Sequence, residues 1–405
     1  MMPASKHIPA ETCSATLPAS SQAAGYPSQA CLLGSRQWDF WLLGGLSIVC
    51  WVPFFLFVDY SEPLKSFGTD MLPWVAFYLA YLVNYPHFMA SYKLAYGQGR
   101  AFVSANWFQL IAVPTGLILI SVVAYLFWDT SIKDSSVVTA LNHFFSSVGL
   151  QTRVGLYPNL GSEALGLLIH LLYFTVGWHY AKQTFGCMMV YARLDNYHLS
   201  TLERNLVRYS LLSTWWLTWL YSNCSVGSYN FYELEIHRLG LPYVWYQTVY
   251  VAVALLYAGV LVMLLRKYLV EGVRPSTTFL IPMVALVIWH VPLFENPEYF
   301  VMIAFFHSLQ YFPFVAKVER TRYERDGHAA PQKRLGLFFL LMIAAGYLAF
   351  DLIPDSLDTL TGSVDQFQVS FFIIAFMAFI NIHHYFIDNV LWRFKNREVR
   401  ELLLR

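Results

Sequence analysis

Ten stretches of this chain run for about 20 residues with almost no charge, the length a helix needs to cross the hydrocarbon core of a bilayer. They cover 38–58, 72–92, 105–128, 163–191, 204–222, 241–265, 275–293, 298–317, 335–353 and 367–392. Inside a bilayer every backbone N–H and C=O must be satisfied by the segment itself, which leaves helices as the simple solution for apolar runs of this length. The predicted fold class is therefore all-α, a polytopic transmembrane helix bundle of ten spans. Only 13% of the 405 residues are charged, where soluble domains carry about a quarter. The fourth stretch is long enough for one tilted helix or a helix with an interfacial end.

Lysine and arginine set the orientation. With the N-terminus placed inside, 21 of the 26 basic residues fall in inside segments. Lys65, Lys133, Arg153 and Arg238 fall outside, and Lys182 lies within a span. Such a bias predicts that both termini are cytoplasmic. Residues 1–36 are rich in Ser, Ala and Pro and are expected to form a disordered cytoplasmic tail. Residues 37–393 form one transmembrane domain and 394–405 a basic cytoplasmic tail. The Arg- and Lys-rich segment 317–334 reads as a solvated loop that marks topology. The outer loops near 129–161 and 223–240 could cap the bundle, and Trp215, Trp216 and Trp219 read as packing or interface residues.

A net charge of +1 gives no field for nucleic acid. Five scattered cysteines without CxxC spacing make neither a disulfide framework nor a metal site. Phosphate-binding loops, nucleophile elbows and HExxH signals are absent, which leaves ATP-driven transport, serine hydrolysis and zincin proteolysis unsupported.

What remains is histidine. His87, His179, His307, His383 and His384 all lie in even-numbered spans, which run in the same direction. Counted from the first basic residue at each inner end, they stand about 9, 21, 15, 15 and 14 Å above that boundary at 1.5 Å per residue. Ionisable groups inside spans are rare and mark function by default. Neutral imidazole is the commonest metal ligand, and a histidine-rich site with few carboxylates suits iron, copper or zinc. All five histidines are candidate metal ligands. Because adjacent helical residues point about 100° apart, His383 and His384 need not serve the same ion.

Their neighbours extend the pattern. Asn84, His87 and Ser91 share a helix face, and Pro86 can kink the helix beside the ligand. His179 aligns with Lys182 and Gln183, Gln310 stands one turn below His307, and Asp388 stands one turn below His384. Lys182, Gln310 and Asp388 are candidate catalytic residues, and Asp388 could equally ligate the ion or orient His384. Each histidine taken singly can also be read as a packed interhelical contact, with Asn84, Gln183, Gln310 and Asn381 as polar glue.

In the segments Pro86-His87-Phe88, Trp178 to Gln183, His307 to Tyr311 and His383 to Arg393, the chain resembles a family of bacterial multi-pass membrane proteins. That resemblance implies a place in the bacterial inner (cytoplasmic) membrane and a role for the histidines, and it names no substrate. A looser, purely architectural likeness is to the Brp/Blh-type β-carotene dioxygenases. The HxxHH boxes of membrane desaturases are absent.

The leading expectation is a membrane-embedded, histidine-ligated metal oxidoreductase, with non-haem iron, acting on a lipid-soluble small molecule that enters from the bilayer. The alternatives are a proton-coupled transporter using Lys182 and Asp388 as a relay, and an electron-transfer protein holding haem b between two histidines.

Overall fold

The structure, a computed structural model, describes residues 31–33, 35–50, 71–133, 135–150, 159–290 and 300–404. Helices dominate, and the described part of each apolar stretch falls largely on one. In chain order they are α1 (Arg36–Phe40, continuing as a π-turn Trp41–Gly45), α2 (Leu72–Leu79, a π-turn Ala80–Asn84, then Tyr85–Tyr96) and α3 (Arg100–Ala105). Next come α4 (Phe108–Leu126), α5 (Ser136–Ser147), α6 (Leu160–Leu194) and α7 (Thr201–Asn223). A short hairpin follows, β1 (Ser228–Phe231) and β2 (Leu234–His237). The rest is α8 (Tyr243–Glu271), α9 (Thr277–His290), α10 (Phe300–Arg325), α11 (Pro331–Thr361), α12 (Ser363–Phe367), α13 (Phe371–Leu391) and α14 (Arg397–Leu404).

Five of these helices, α4, α6, α8, α11 and α13, are long and apolar enough to cross a membrane. They divide by what covers them. Only 11% of the apolar window of α8 is buried in protein, against 61% for α6 and for α13. Leucines such as Leu255, Leu269 and Leu340 point outward with no protein partner to cover them. In water this surface would cost about 25 cal/mol per Å²; in lipid it costs nothing. The chain is an integral membrane protein whose α8, α4 and α11 face outward around a more buried α6 and α13.

The 35-residue α6 is one continuous helix of about 52 Å. It packs against α4, α7, α9 and α13 and so organises the bundle. Its start is fixed by Asn159, whose side chain accepts from the Ser162 N–H. Phe174 on α6 sits among the rings of Trp215, Trp216 and Trp219 of α7, so those tryptophans pack the α6–α7 seam. The hairpin was not foreseen. It buries Leu234 and Ile236 and sets Tyr229 and Phe231 against Tyr173 in the first half of α6.

Proline spacing explains most of the irregular turns. Three of the four π-turns among the described residues end at Asn84, Ala112 and Leu352, and each of these is followed two residues later by proline: Pro86, Pro114 and Pro354; the fourth, Trp41–Gly45, is not. Proline cannot donate to the carbonyl four residues back and its ring crowds that turn, so a widened turn just before it lets the helix continue. In α2 this places a π-turn immediately before His87, where a kink was expected.

Close approach fixes Gly44. A Cβ there would lie 2.7 Å from the Ala285 Cβ and 2.9 Å from the Ile281 carbonyl oxygen of α9.

Three readings of the sequence differ from the structure. The expected N-terminal tail lies mostly outside the described residues, but its last part is held down. The carboxylate of Asp39, fully buried, accepts from the N–H groups of Leu32 and Leu33 and from the Tyr191 hydroxyl. The segment 317–325 is not loop but the last turns of α10. There Glu319 is fully buried and paired with Lys93 at 2.5 Å and with Arg322. The expected basic tail 394–405 contains α14, which lays Val399, Leu402 and Leu403 on the bundle while Glu398 pairs with Arg322 at 3.1 Å. Its apolar residues recur at helical spacing, so the helix has a face to bury; charge alone had hidden that pattern.

A buried four-histidine centre

Four helices each bring one histidine to a single point: His87 from α2, His179 from α6, His307 from α10 and His384 from α13. All four are buried, and one nitrogen from each lies within 4.8 Å of all the others. The imidazole rings sit 4.4 Å apart for His87 and His384, and 4.8 Å apart for His179 with both His307 and His384. Nitrogen ligands about 2.1 Å from an ion lie roughly 3–4.2 Å from one another, so the widest separation in this set must close by about 0.6 Å or more to reach bonding geometry.

The hydrogen bonding favours an ion over mutual packing. The Nε2 atoms of His179 and His307 face each other at 3.1 Å. Two neutral imidazoles can satisfy that contact only if one carries its proton there, whereas two ligands of one ion both present lone pairs. His87 Nε2, both ring nitrogens of His384 and His307 Nδ1 are buried with no hydrogen-bond partner among the described residues. Each such atom costs about 1–3 kcal/mol if left unpaired. Four of them would consume a large part of the 5–15 kcal/mol stability typical of a domain. An ion bound by His87 and His384 would relieve two of them.

The tautomer of His87 is set from outside the cluster. Ser308 Oγ lies 3.1 Å from His87 Nδ1, 2.8 Å from Asn84 Oδ1 and 2.8 Å from the Ala304 carbonyl oxygen. Its single proton goes to one of the two oxygens, so the hydroxyl accepts from His87 Nδ1–H. His87 Nε2 is then left as a lone pair aimed into the centre. Other contacts hold the His307 backbone and the His179 ring. Gln183 donates to the backbone carbonyl of His307 at 2.9 Å. Tyr385 stacks on His179 at 4.6 Å and donates its hydroxyl to Asn381 Oδ1 at 3.1 Å.

Asp388 flanks the centre. Its Oδ1 accepts from Ser91 at 2.8 Å and from Tyr311 at 3.2 Å, and Tyr311 in turn accepts from the Trp392 indole at 3.1 Å. Its Oδ2 is turned toward the histidines, 3.6 Å from His384 Nε2 and 3.9 Å from His179 Nε2. One oxygen is thus anchored while the other faces the site.

The remaining candidates stand elsewhere. His383 is turned away from the four, with Nδ1 2.9 Å from the Tyr92 hydroxyl and Nε2 3.4 Å from that of Tyr96. The angle of about 100° between neighbouring helical residues is the reason. The amide of Gln310 donates to the Leu43 carbonyl at 2.6 Å, a group left free where α1 breaks at Gly44. Its oxygen sits 3.5 Å from Gln183. Lys182 Nζ donates to Asn389 Oδ1 and lies 4.6 Å above the Trp178 ring.

The expected spread of histidine heights also collapses. His87 and His179 were set about 12 Å apart by the rise per residue, yet their rings are 6.4 Å apart. Lys93, taken as the inner boundary of α2, is instead paired with the buried Glu319, so it does not mark a common level with Arg193 of α6. Ser308, Tyr311 and Trp392 lie in the segments that carry the resemblance but have no role assigned from the sequence, and the pair Tyr92 and Tyr96 is not among the sequence candidates. All act across helix interfaces, which a single sequence does not display.

A cavity of about 1540 Å³ reaches the centre from one side. His179, Asp388, Tyr311, Tyr385 and Lys182 line it, while His87, His307 and His384 do not. The centre is therefore approached past His179 and Asp388. No protein-family model, curated protein or solved structure matches the chain.

Proposed function

We propose that the four histidines hold one redox-active metal ion, iron, in an oxidoreductase that acts on a lipid-soluble substrate. The observation that carries this is the convergence of four buried imidazole nitrogens within 4.8 Å, next to a cavity opening past His179 and Asp388. Four nitrogen ligands with one nearby carboxylate suit iron, copper or zinc, not calcium or magnesium. When bound, such an ion would activate dioxygen or polarise a substrate oxygen. His87, His179, His307 and His384 would bind it. Ser91 and Tyr311 hold Asp388 so that its Oδ2 can accept or return a proton beside His179 and His384. Phe88, 4.7 Å from His384, and Tyr180, 4.2 Å from His307, shield the buried side from water.

The close packing of the rings supports a bare ion over haem b. Imidazoles 4.4–5.2 Å from the His87 and His179 rings occupy the space around the axis where a porphyrin would lie. The test is dioxygen uptake by iron-loaded, detergent-purified protein supplied with polyenes, sterol-like lipids or fatty chains. Uptake should depend on one of these substrates and vanish in His179→Ala. Substrate-independent uptake, or full activity in His87→Ala and His384→Ala, would sink the proposal.

A further inference from the structure

The cavity beside the centre has two kinds of wall. Along α6, from His179 to Arg193, it is lined by Phe185, Met189 and Val190, faced by Phe314 of α10 and Leu403 of α14. At the end of α6 the lining turns basic. Seven lysines and arginines contribute to the cavity, one of them, Lys182, a turn from His179, against two carboxylates, Asp388 and Glu401. The two carboxylates offset only part of this charge, Glu401 beside Arg400 and Arg325 and Asp388 beside Lys182. Asp388 is held by Ser91 and Tyr311, and Glu401 pairs with Arg397 at 2.7 Å. Arg393 and Lys395 form no ion pair among the described residues.

The dimensions fit one kind of occupant. Arg193, the far basic residue of the wall, is 14 residues beyond His179 on the same continuous helix, a rise of about 21 Å, while Arg393 follows Asp388 by five residues and Lys395 by seven, so the basic lining starts nearer the centre and runs outward. The volume of about 1540 Å³ exceeds the roughly 300–1,000 Å³ of pockets for compact small molecules. A cavity with an apolar wall and an excess of basic groups, among them the unpaired Arg393 and Lys395, fits a chain with an anionic head.

We propose that this cavity binds an anionic amphiphile, a long-chain carboxylate or phosphate ester. Its head sits at Arg393 and Lys395, and its apolar chain lies along Phe185 and Met189 toward His179. This deepens the functional reading above and rests on it for the chemistry at the far end, while binding itself requires only the cavity. Arginine and lysine hold the head by charge-assisted hydrogen bonds. The chain gains from burial at about 0.8 kcal/mol per methylene. Together they set which part of the chain stands at the centre.

Equilibrium dialysis of the full chain in a neutral detergent tests this with three probes: palmitate, hexadecyl phosphate and hexadecanol. Metal content is measured on the same samples. Palmitate or hexadecyl phosphate should bind saturably, and the tighter of the two assigns the head group. Hexadecanol should bind at least ~10-fold more weakly, the effect of about 1.4 kcal/mol from a charge-assisted contact. Arg393→Gln with Lys395→Gln should remove that preference and leave hexadecanol unchanged, and Met189→Trp should weaken all three probes. Equal or non-saturable uptake of the three probes would overturn the proposal, as would a preference that survives the double substitution. Saturable anionic binding in protein without metal would uphold the amphiphile site and count only against the metal reading; stoichiometric metal with equal uptake would do the reverse.

Discussion

Ser308→Ala removes one hydroxyl and offers a narrow test of how the centre is built. In the structure that hydroxyl is within 3.1 Å of His87 Nδ1 and 2.8 Å of both Asn84 Oδ1 and the Ala304 carbonyl. Losing the group that fixes a ligating histidine typically weakens metal binding about 10–100-fold, or roughly 1.4–2.7 kcal/mol. The same change also loses a buried hydrogen bond, worth about 1 kcal/mol of fold stability whether or not an ion is bound. Two measurements separate these effects: the melting temperature of metal-stripped protein, and the metal Kd from competition with a chelator. The expected result is a small fall in the first and a 10–100-fold rise in the second. If the melting temperature falls while Kd stays within about twofold, Ser308 is only interhelical glue. The argument that it sets the His87 tautomer would then be wrong.

Three other substitutions probe the account. His383→Phe should keep full metal stoichiometry in elemental analysis, because His383 bonds Tyr92 and Tyr96 and not the cluster; loss of the ion would return it to the ligand set. Asp388→Asn puts an amide NH₂ or a weaker acceptor beside His179 and His384, so chelator competition should show about 10–100-fold weaker binding. Gly44→Ala forces a Cβ to within 2.7 Å of Ala285 and should destabilise the bundle by about 1–3 kcal/mol, seen as a lower melting temperature with unchanged metal content.

Much of the centre was legible because it depends on local chemistry. Apolar runs located the helices, and an ionisable residue inside such a run has few reasons to be there. That logic picked out His87, His179, His307 and His384 and placed Asp388 one turn from His384. It could not choose between His383 and His384, since the choice depends on how α13 is rotated against α2 and α6. It misplaced Gln310, whose partner is the Leu43 carbonyl exposed by a helix break in α1. Charge counting likewise hid α14 and the end of α10, because a basic residue marks a membrane boundary only when solvent is its partner. Arg322 and Lys93 are instead tied to Glu319. The hairpin at Ser228–His237 has its own reason for being missed. Its turn uses Tyr232 and Glu233 at positive φ (48° and 67°), where asparagine and glycine are the usual signal.

Elemental analysis of the purified protein bears most directly on the four-histidine centre. One equivalent of transition metal per chain is predicted for the native sequence and for His383→Phe, with less than about a tenth of that in His87→Ala and in His384→Ala after the same chelator wash. Protein that carries no stoichiometric metal under any loading condition, or histidine variants that retain it in full, would contradict the account.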